Sequence, residues 1–203
     1  PKSARLLGAA LQSLSAGTLE AALALDVLEA AGNSKDAEVG KALKAYLGTR
    51  DSKDALSPYL ETLAGGDPAI GRTLFNNHLA AQCVRCHAID GDGSGIGPAL
   101  AGIGEKDARY LLESLIVPGA AIAEGFGITT VTLDDGTSHT GRLLEETAEQ
   151  VVLQSPTGEQ NLRFPRSDVQ TIDTQQVSSM PPMGALLTRR ELRDVMAFLC
   201  SLK

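Results

Sequence analysis

Tryptophan is absent from the chain, and aromatic residues make up only 3% of it. Apolar burial must therefore come mainly from aliphatic side chains, or from something that is not a side chain. Cations are outnumbered as well: 18 Lys and Arg stand against 25 Asp and Glu, a net charge of −7. Phosphate backbones are bound by Lys/Arg patches, so this balance argues against a nucleic-acid partner. No run of 18 apolar residues occurs, so no membrane span is expected. No secretory signal is recognisable, and the chain opens at Pro1 directly in a helical pattern. A length of 203 residues allows one or two domains with ordinary cores.

Cysteine and histidine are scarce too, three of each, and two of the cysteines and one histidine fall together as Cys83-Val-Arg-Cys86-His87. Cys-x-x-Cys-His is the attachment signature of c-type haem. Two thiols three residues apart on a helical turn can each add across a haem vinyl group, and the adjacent histidine is then held as the proximal iron ligand. A dithiol redox pair needs no histidine there and expects a βαβ setting. A structural zinc site needs four ligands, and only Cys200, His78 and His139 remain to complete one, at no recognisable spacing. The expected cofactor is one covalent haem c. Haem of this type is attached outside the cytoplasm, so the chain reads as a mature or excised piece of a longer exported, periplasmic protein. Cys200, in an apolar helix, reads as a buried small hydrophobe, with an intermolecular disulfide as the alternative.

The surrounding residues extend the motif. Gly71 and Phe75 lie four apart on a helix entering it, a glycine-rich loop spans residues 91 to 100, and Met180-Pro-Pro-Met183-Gly184 precedes a helix from Thr188 to Leu199. Here the chain resembles a class I cytochrome c. The resemblance implies a crossing of the Gly71/Phe75 helix with a C-terminal helix carrying Phe198. It also implies that the Pro98 carbonyl receives the His87 ring N–H, and that Met180 is the sixth iron ligand. A narrower likeness rests on the order of several segments. These are Gly71-Arg-Thr-Leu-Phe75, the cysteine motif, Leu111 to Pro118, Ile122-Ala-Glu-Gly-Phe126, a strand-rich block and Ser178-Ser-Met180-Pro. In that order residues 67 to 203 resemble the haem-binding domain of the Pirellula/Verrucomicrobium (planctomycete) type.

Three regions are expected. Residues 1–65 read as four short helices, from the stripes Leu7/Ala10/Leu11/Leu14, Leu23/Val27/Ala30, Val39/Ala42/Leu43/Tyr46/Leu47 and Leu56/Tyr59/Leu60/Leu63. Thr18, Ser34 and Ser52 stand as N-caps and Gly32 and Gly48 as stops, in the manner of HEAT-like helical hairpins. Residues 66–203 form the cytochrome domain, opened by Asp67-Pro68 as cap and first helical residue, with that helix running to about Ala81. Within it, residues 128–174 change to a period of two and read as five short strands, an inserted SH3- or Sm-like barrel. The fold class is thus mainly α with a β insertion.

For the sixth ligand, a thioether is soft and favours Fe(II). Met180 and Met183 both qualify chemically; Met180 has the Met-Pro-Pro context, and Met183 reads as core filling. His78 reads as a surface residue and His139 as a solvated strand position. Two protein ligands leave no iron position for a substrate, so the expected task is outer-sphere electron transfer rather than catalysis. The redox partner would be a dehydrogenase module, fused or separate, with a basic face for this acidic surface. The competing readings are a haem enzyme or gas sensor with a labile sixth ligand, and an assembly module in which haem is structural.

Overall fold

The computed structural model describes residues 2–89, 95–158 and 160–203. The chain begins with α1 (Lys2–Ser15), α2 (Ala24–Gly32) and α3 (Ala37–Leu47). Their stripes meet, burying Leu11, Leu28, Ala31 and Val39 with Leu7, Leu14 and Leu43 against them. None of the expected caps at Thr18, Ser34 and Ser52 caps a helix. Asp36 caps α3, accepting the N–H groups of Glu38 and Val39, while Ser34 Oγ accepts the N–H of Asp36 itself. A carboxylate nearer the helix reaches two orphan donors and carries charge toward the positive end of the dipole.

The fourth expected α-helix is instead a 3₁₀ helix, Ser57–Leu63, entered through Pro58. Leu56, Tyr59, Leu60 and Leu63 turn away from the first three helices and join the core of the later ones. A buried polar cluster ties this segment back to α3: the Tyr46 hydroxyl donates to Glu61 at 2.9 Å, and Arg50 pairs with the same oxygen at 2.7 Å. Two further ion pairs, Arg190–Asp26 at 2.6 Å and Arg193–Asp26 at 3.0 Å, fasten α2 to the C-terminal helix.

Asp67 caps α4 (Pro68–Asn77) by accepting from Ala69 and Ile70, with Pro68 in the first turn. The helix stops at Asn77, short of the expected Ala81, because His78 leaves the helical region (ψ 119°) and its Nδ1 accepts the Ala81 N–H. Asp107 caps α5 (Ala108–Ile116), and a Thr188/Glu191 capping box opens α6 (Arg189–Ser201). α4 and α6 cross in direct backbone contact. A Cβ at Gly71 would lie 2.0 Å from the Asp194 carbonyl oxygen, so no larger residue fits there. Beside it the Phe75 and Phe198 rings meet edge to face, centroids 5.6 Å apart. Leu112, Leu192 and Met196 fill the centre of this core.

The inserted strands are β1 (Ile128–Leu133), β2 (Ser138–Glu146), β3 (Gln150–Gln154), β4 (Asn161–Pro165) and β5 (Val169–Gln175). They do not close into the expected barrel. The sheet is open, in the order β4-β3-β2-β1-β5, every neighbouring pair antiparallel. Register shifts at Leu143/Glu145 and Thr132/Leu133 bend it enough to bury Val131, Val151, Leu153, Phe164 and Val169 in one small core. Closure would need β4 to pair with β5. Instead β4 ends at Pro165, which has no N–H to donate, and the 3₁₀ turn Arg166–Asp168 separates the two. The ends of the insert do meet, since Ile128 pairs with Gln175.

Candidate functional site

The cysteine motif lies just beyond the end of α4. Gln82 takes a left-handed conformation (φ 46°), the sole non-glycine among the described residues to do so. That reversal starts the tight turn Cys83–Arg85, in which the Cys86 and His87 N–H groups both return to the Cys83 carbonyl. Cys83 and Cys86 carry thiols rather than a disulfide, and burial pushes the Cys83 thiol pKa up.

After the motif the chain folds back on itself. Of the glycine-rich loop, residues 90–94 lie outside the described residues; from Gly95 onward the path is clear. The Gly97 N–H donates to the Cys86 carbonyl at 2.9 Å and the Leu100 N–H to the Ala88 carbonyl at 2.7 Å. This brings the Pro98 carbonyl to 2.8 Å from His87 Nδ1. A carbonyl can only accept, so Nδ1 is the donor in this contact, and in the neutral tautomer that matches it Nε2 carries the lone pair a metal would use. Gly97 makes the approach possible, because a Cβ there would come within 2.7 Å of the imidazole ring.

These groups face a cavity of about 370 Å³. Its walls are apolar: Phe75 from α4, Leu111 and Leu115 from α5, Val195 and Leu199 from α6. Cys83, Cys86, His87 and Pro98 line one part, and Met180, with Met183, also lines it. Met183 is fully packed in the core at 2% exposure, whereas Met180 is half-buried, its N–H bonded to Ser178 Oγ at 3.1 Å. His78 and His139 do not line the cavity. His78 Nε2 lies 3.7 Å from a Glu191 carboxylate oxygen, and His139 packs on Phe164 in the sheet. Cys200 is half-buried against the helical core, and burial raises its thiol pKa.

A donor set of two thiols, an imidazole and a thioether around an apolar cavity suits a flat, largely apolar iron macrocycle held by covalent links. Among the described residues no cluster of three or more His, Cys, Asp or Glu could hold a bare metal ion. The cavity also exposes side chains that motif reading passes over: Lys106, Tyr110 and Ser114. Their signal is periodic, since Tyr110, Leu111, Ser114, Leu115 and Pro118 recur at i, i+1, i+4, i+5 and i+8 along one face of α5 and its exit.

Compared with known proteins, residues 68–153 match the family model described as cytochrome c. The match takes in α4, the cysteine motif, His87 and Pro98, and ends in β3, before Met180. It supports a c-type cytochrome domain, with the covalently bound haem c and haem-based electron transfer typical of that family. No curated protein matches the chain. Among the described residues, no helix is long and apolar enough to cross a membrane.

Proposed function

We propose that this chain is an electron-transfer cytochrome c domain carrying one covalent haem ligated by His87 and Met180. The observation that carries the reading is the 2.8 Å contact of His87 Nδ1 with the Pro98 carbonyl at the wall of an apolar cavity that Met180 also lines. Cys83 and Cys86 would each bind a vinyl carbon through Sγ, the thiol hydrogen going to the neighbouring carbon. His87 would present Nε2, its ring held by Pro98 and kept close by Gly97. Met180 would present its sulfur from the other ligand segment, and Met183 would support that segment from the core. When bound, the haem iron accepts and releases a single electron between its Fe(III) and Fe(II) states. The apolar walls would exclude water from the group and hold the His87 and Met180 side chains in place around it.

In this reading the protein is an electron carrier, exported to the periplasm, where c haem is attached. The net charge of −7 suits a donor with a basic docking face, a dehydrogenase module fused to or associated with the chain. The helical segment of residues 1–65 would be a HEAT-like spacer between the two. A reduced-minus-oxidised spectrum of the holoprotein, followed by a CO titration, tests the reading. A c-type spectrum unmoved by CO is expected. CO binding by the wild-type protein would point instead to a haem enzyme or gas sensor, and absence of covalent haem would refute the assignment.

A further inference from the structure

We propose that Arg142, on β2 of the inserted sheet, is a positioning and charge-setting residue behind the wall of the haem crevice, so that the insert tunes the haem bound there. The inference rests on the haem reading above and deepens it. Three contacts join Arg142 to two segments that wall the cavity. Its Nε donates to the Gly125 carbonyl at 2.8 Å, and one Nη donates to the Gly95 carbonyl. Its guanidinium lies over the face of Phe126, 3.7 Å from the ring centroid. Phe126 lines the cavity, and so do Ile96, Gly97 and Pro98, the residues that follow Gly95. A single side chain of the sheet therefore holds both an aromatic wall and the loop whose Pro98 carbonyl orients His87. A guanidinium suits this task because its rigid fork can donate in two directions while its flat face stacks on a ring.

The charge of Arg142 is as distinctive as its contacts. Among the described residues no carboxylate pairs with it, and the polar partners found there are the neutral Gly125 and Gly95 carbonyls. Burial alone draws its pKa down, although a guanidinium stays protonated at any physiological pH. A half-buried cation is screened less than one in water. From behind the cavity wall this charge would disfavour the oxidised iron of a bound haem, which carries one more positive charge, and so would raise the reduction potential.

Reduction potentials of the holoprotein and its variants, taken by spectroelectrochemical titration, test this. Arg142→Gln removes the charge and is expected to lower the ratio of reduced to oxidised haem at least threefold at a fixed applied potential. Arg142→Lys keeps the charge without the fork, and its ratio should stay within twofold of the wild type. Gln154 sits directly across from Arg142 in the β2–β3 register, so Gln154→Glu places a carboxylate beside the guanidinium with almost no change of shape. It should shift the ratio in the same direction as Arg142→Gln, and it carries the test if Arg142→Gln yields no holoprotein. The proposal is overturned if the neutralising variants keep the wild-type potential, or if Arg142→Lys falls as far as Arg142→Gln. A wild-type protein without covalent haem would refute the haem reading itself, an outcome separate from either of these.

Discussion

The helical region around the cavity and the inserted sheet bury their apolar residues in opposite ways. In the sheet, Val131, Val151 and Leu153 are completely buried against Phe164 and Val169, so five short strands close a core from their own side chains. In the helical region, α4, α5 and α6 also build a core, but Phe75, Leu111, Leu115 and Leu199 line a cavity as well. A chain with 3% aromatics has few large side chains to fill such a space. The sheet is complete as polypeptide, whereas the helical region leaves an apolar cavity of about 370 Å³ that its own side chains do not fill. Both stand in one chain and are joined by the Arg142 side chain, so on the proposals above the region that would hold the cofactor and the region that would adjust it are separate.

The largest break in that comparison is expected from Cys86→Ala. With one thioether link lost, holoprotein yield should collapse, and hydrogen exchange should show α4 and α6 exposed while the amides of β1 to β3 remain protected. Equal loss of protection in both regions would show that the sheet depends on the cofactor too. Gly71→Val comes next, because its side chain must displace the Asp194 carbonyl or part the two helices. A destabilisation of about 3 kcal/mol is expected by denaturant titration. By contrast Gly136→Ala, in the β1–β2 turn at φ 83° with open space around it, should cost only about 1 kcal/mol.

The two methionines sharpen the division inside the helical region. Met183→Ala empties a fully packed position and should cost about 2–3 kcal/mol while leaving the reduction potential near the wild-type value. Met180→Ala should do the reverse: a small loss of stability, a lower potential and a newly CO-binding iron. If the two exchange behaviours, the ligand assignment belongs to Met183.

The smallest effect concerns acid. Burial tends to raise the Asp26 pKa, but the hydrogen bonds and charges of Arg193 and Arg190 outweigh it, and the net shift is downward. A carboxylate with a depressed folded pKa contributes its stability in full above the ordinary carboxylate range, and loses it as pH falls through the folded value. The link between α2 and α6 should therefore weaken below about pH 4. Because Asp26 and Arg190 are about half exposed, with only Arg193 largely buried, the effect should be about 0.5 kcal/mol, reduced further by salt. Asp26→Asn should abolish this pH dependence in limited proteolysis of the N-terminal helices.

Much of the helical architecture was legible in the sequence because it is written in local chemistry. Asp67-Pro68 and the Thr188/Glu191 pair each cap a helix within four residues, and Cys83 to His87 fixes a turn. The meeting of His87 with Pro98 followed from family resemblance rather than from periodicity. What the sequence did not convey was partnership over distance. The stripe Leu56/Tyr59/Leu60/Leu63 reads the same whether it faces α1 to α3 or the later helices, and its spacing suits a 3₁₀ helix as well as an α-helix. Sheet closure was equally hidden, since alternation marks a strand but says nothing of whether its edge finds a partner. Arg142 falls within the strand-rich block of residues 128–174 with nothing local to mark it, because its meaning lies in Gly95 and Gly125, neither of them near it in the sequence.

The pairing of Ile128 with Gln175 bears on the order in which the chain folds. α4 and α6 are far apart in sequence; the Asp67 N–H is bound by Asp194, 127 residues away. Three of the four strand pairings join neighbours in sequence and can form in microseconds as hairpins, well before distant helices meet. Once β5 docks on β1, residues 128–175 no longer count toward the loop that α4 and α6 must close. The entropic saving is small, about 0.4 kcal/mol on the logarithmic scaling of loop closure. The kinetic effect is a sequence of events: sheet first, helix crossing second. Pulse-labelling hydrogen exchange during refolding of the holoprotein should find β1 and β2 amides protected before those of α4, and simultaneous protection would contradict that order.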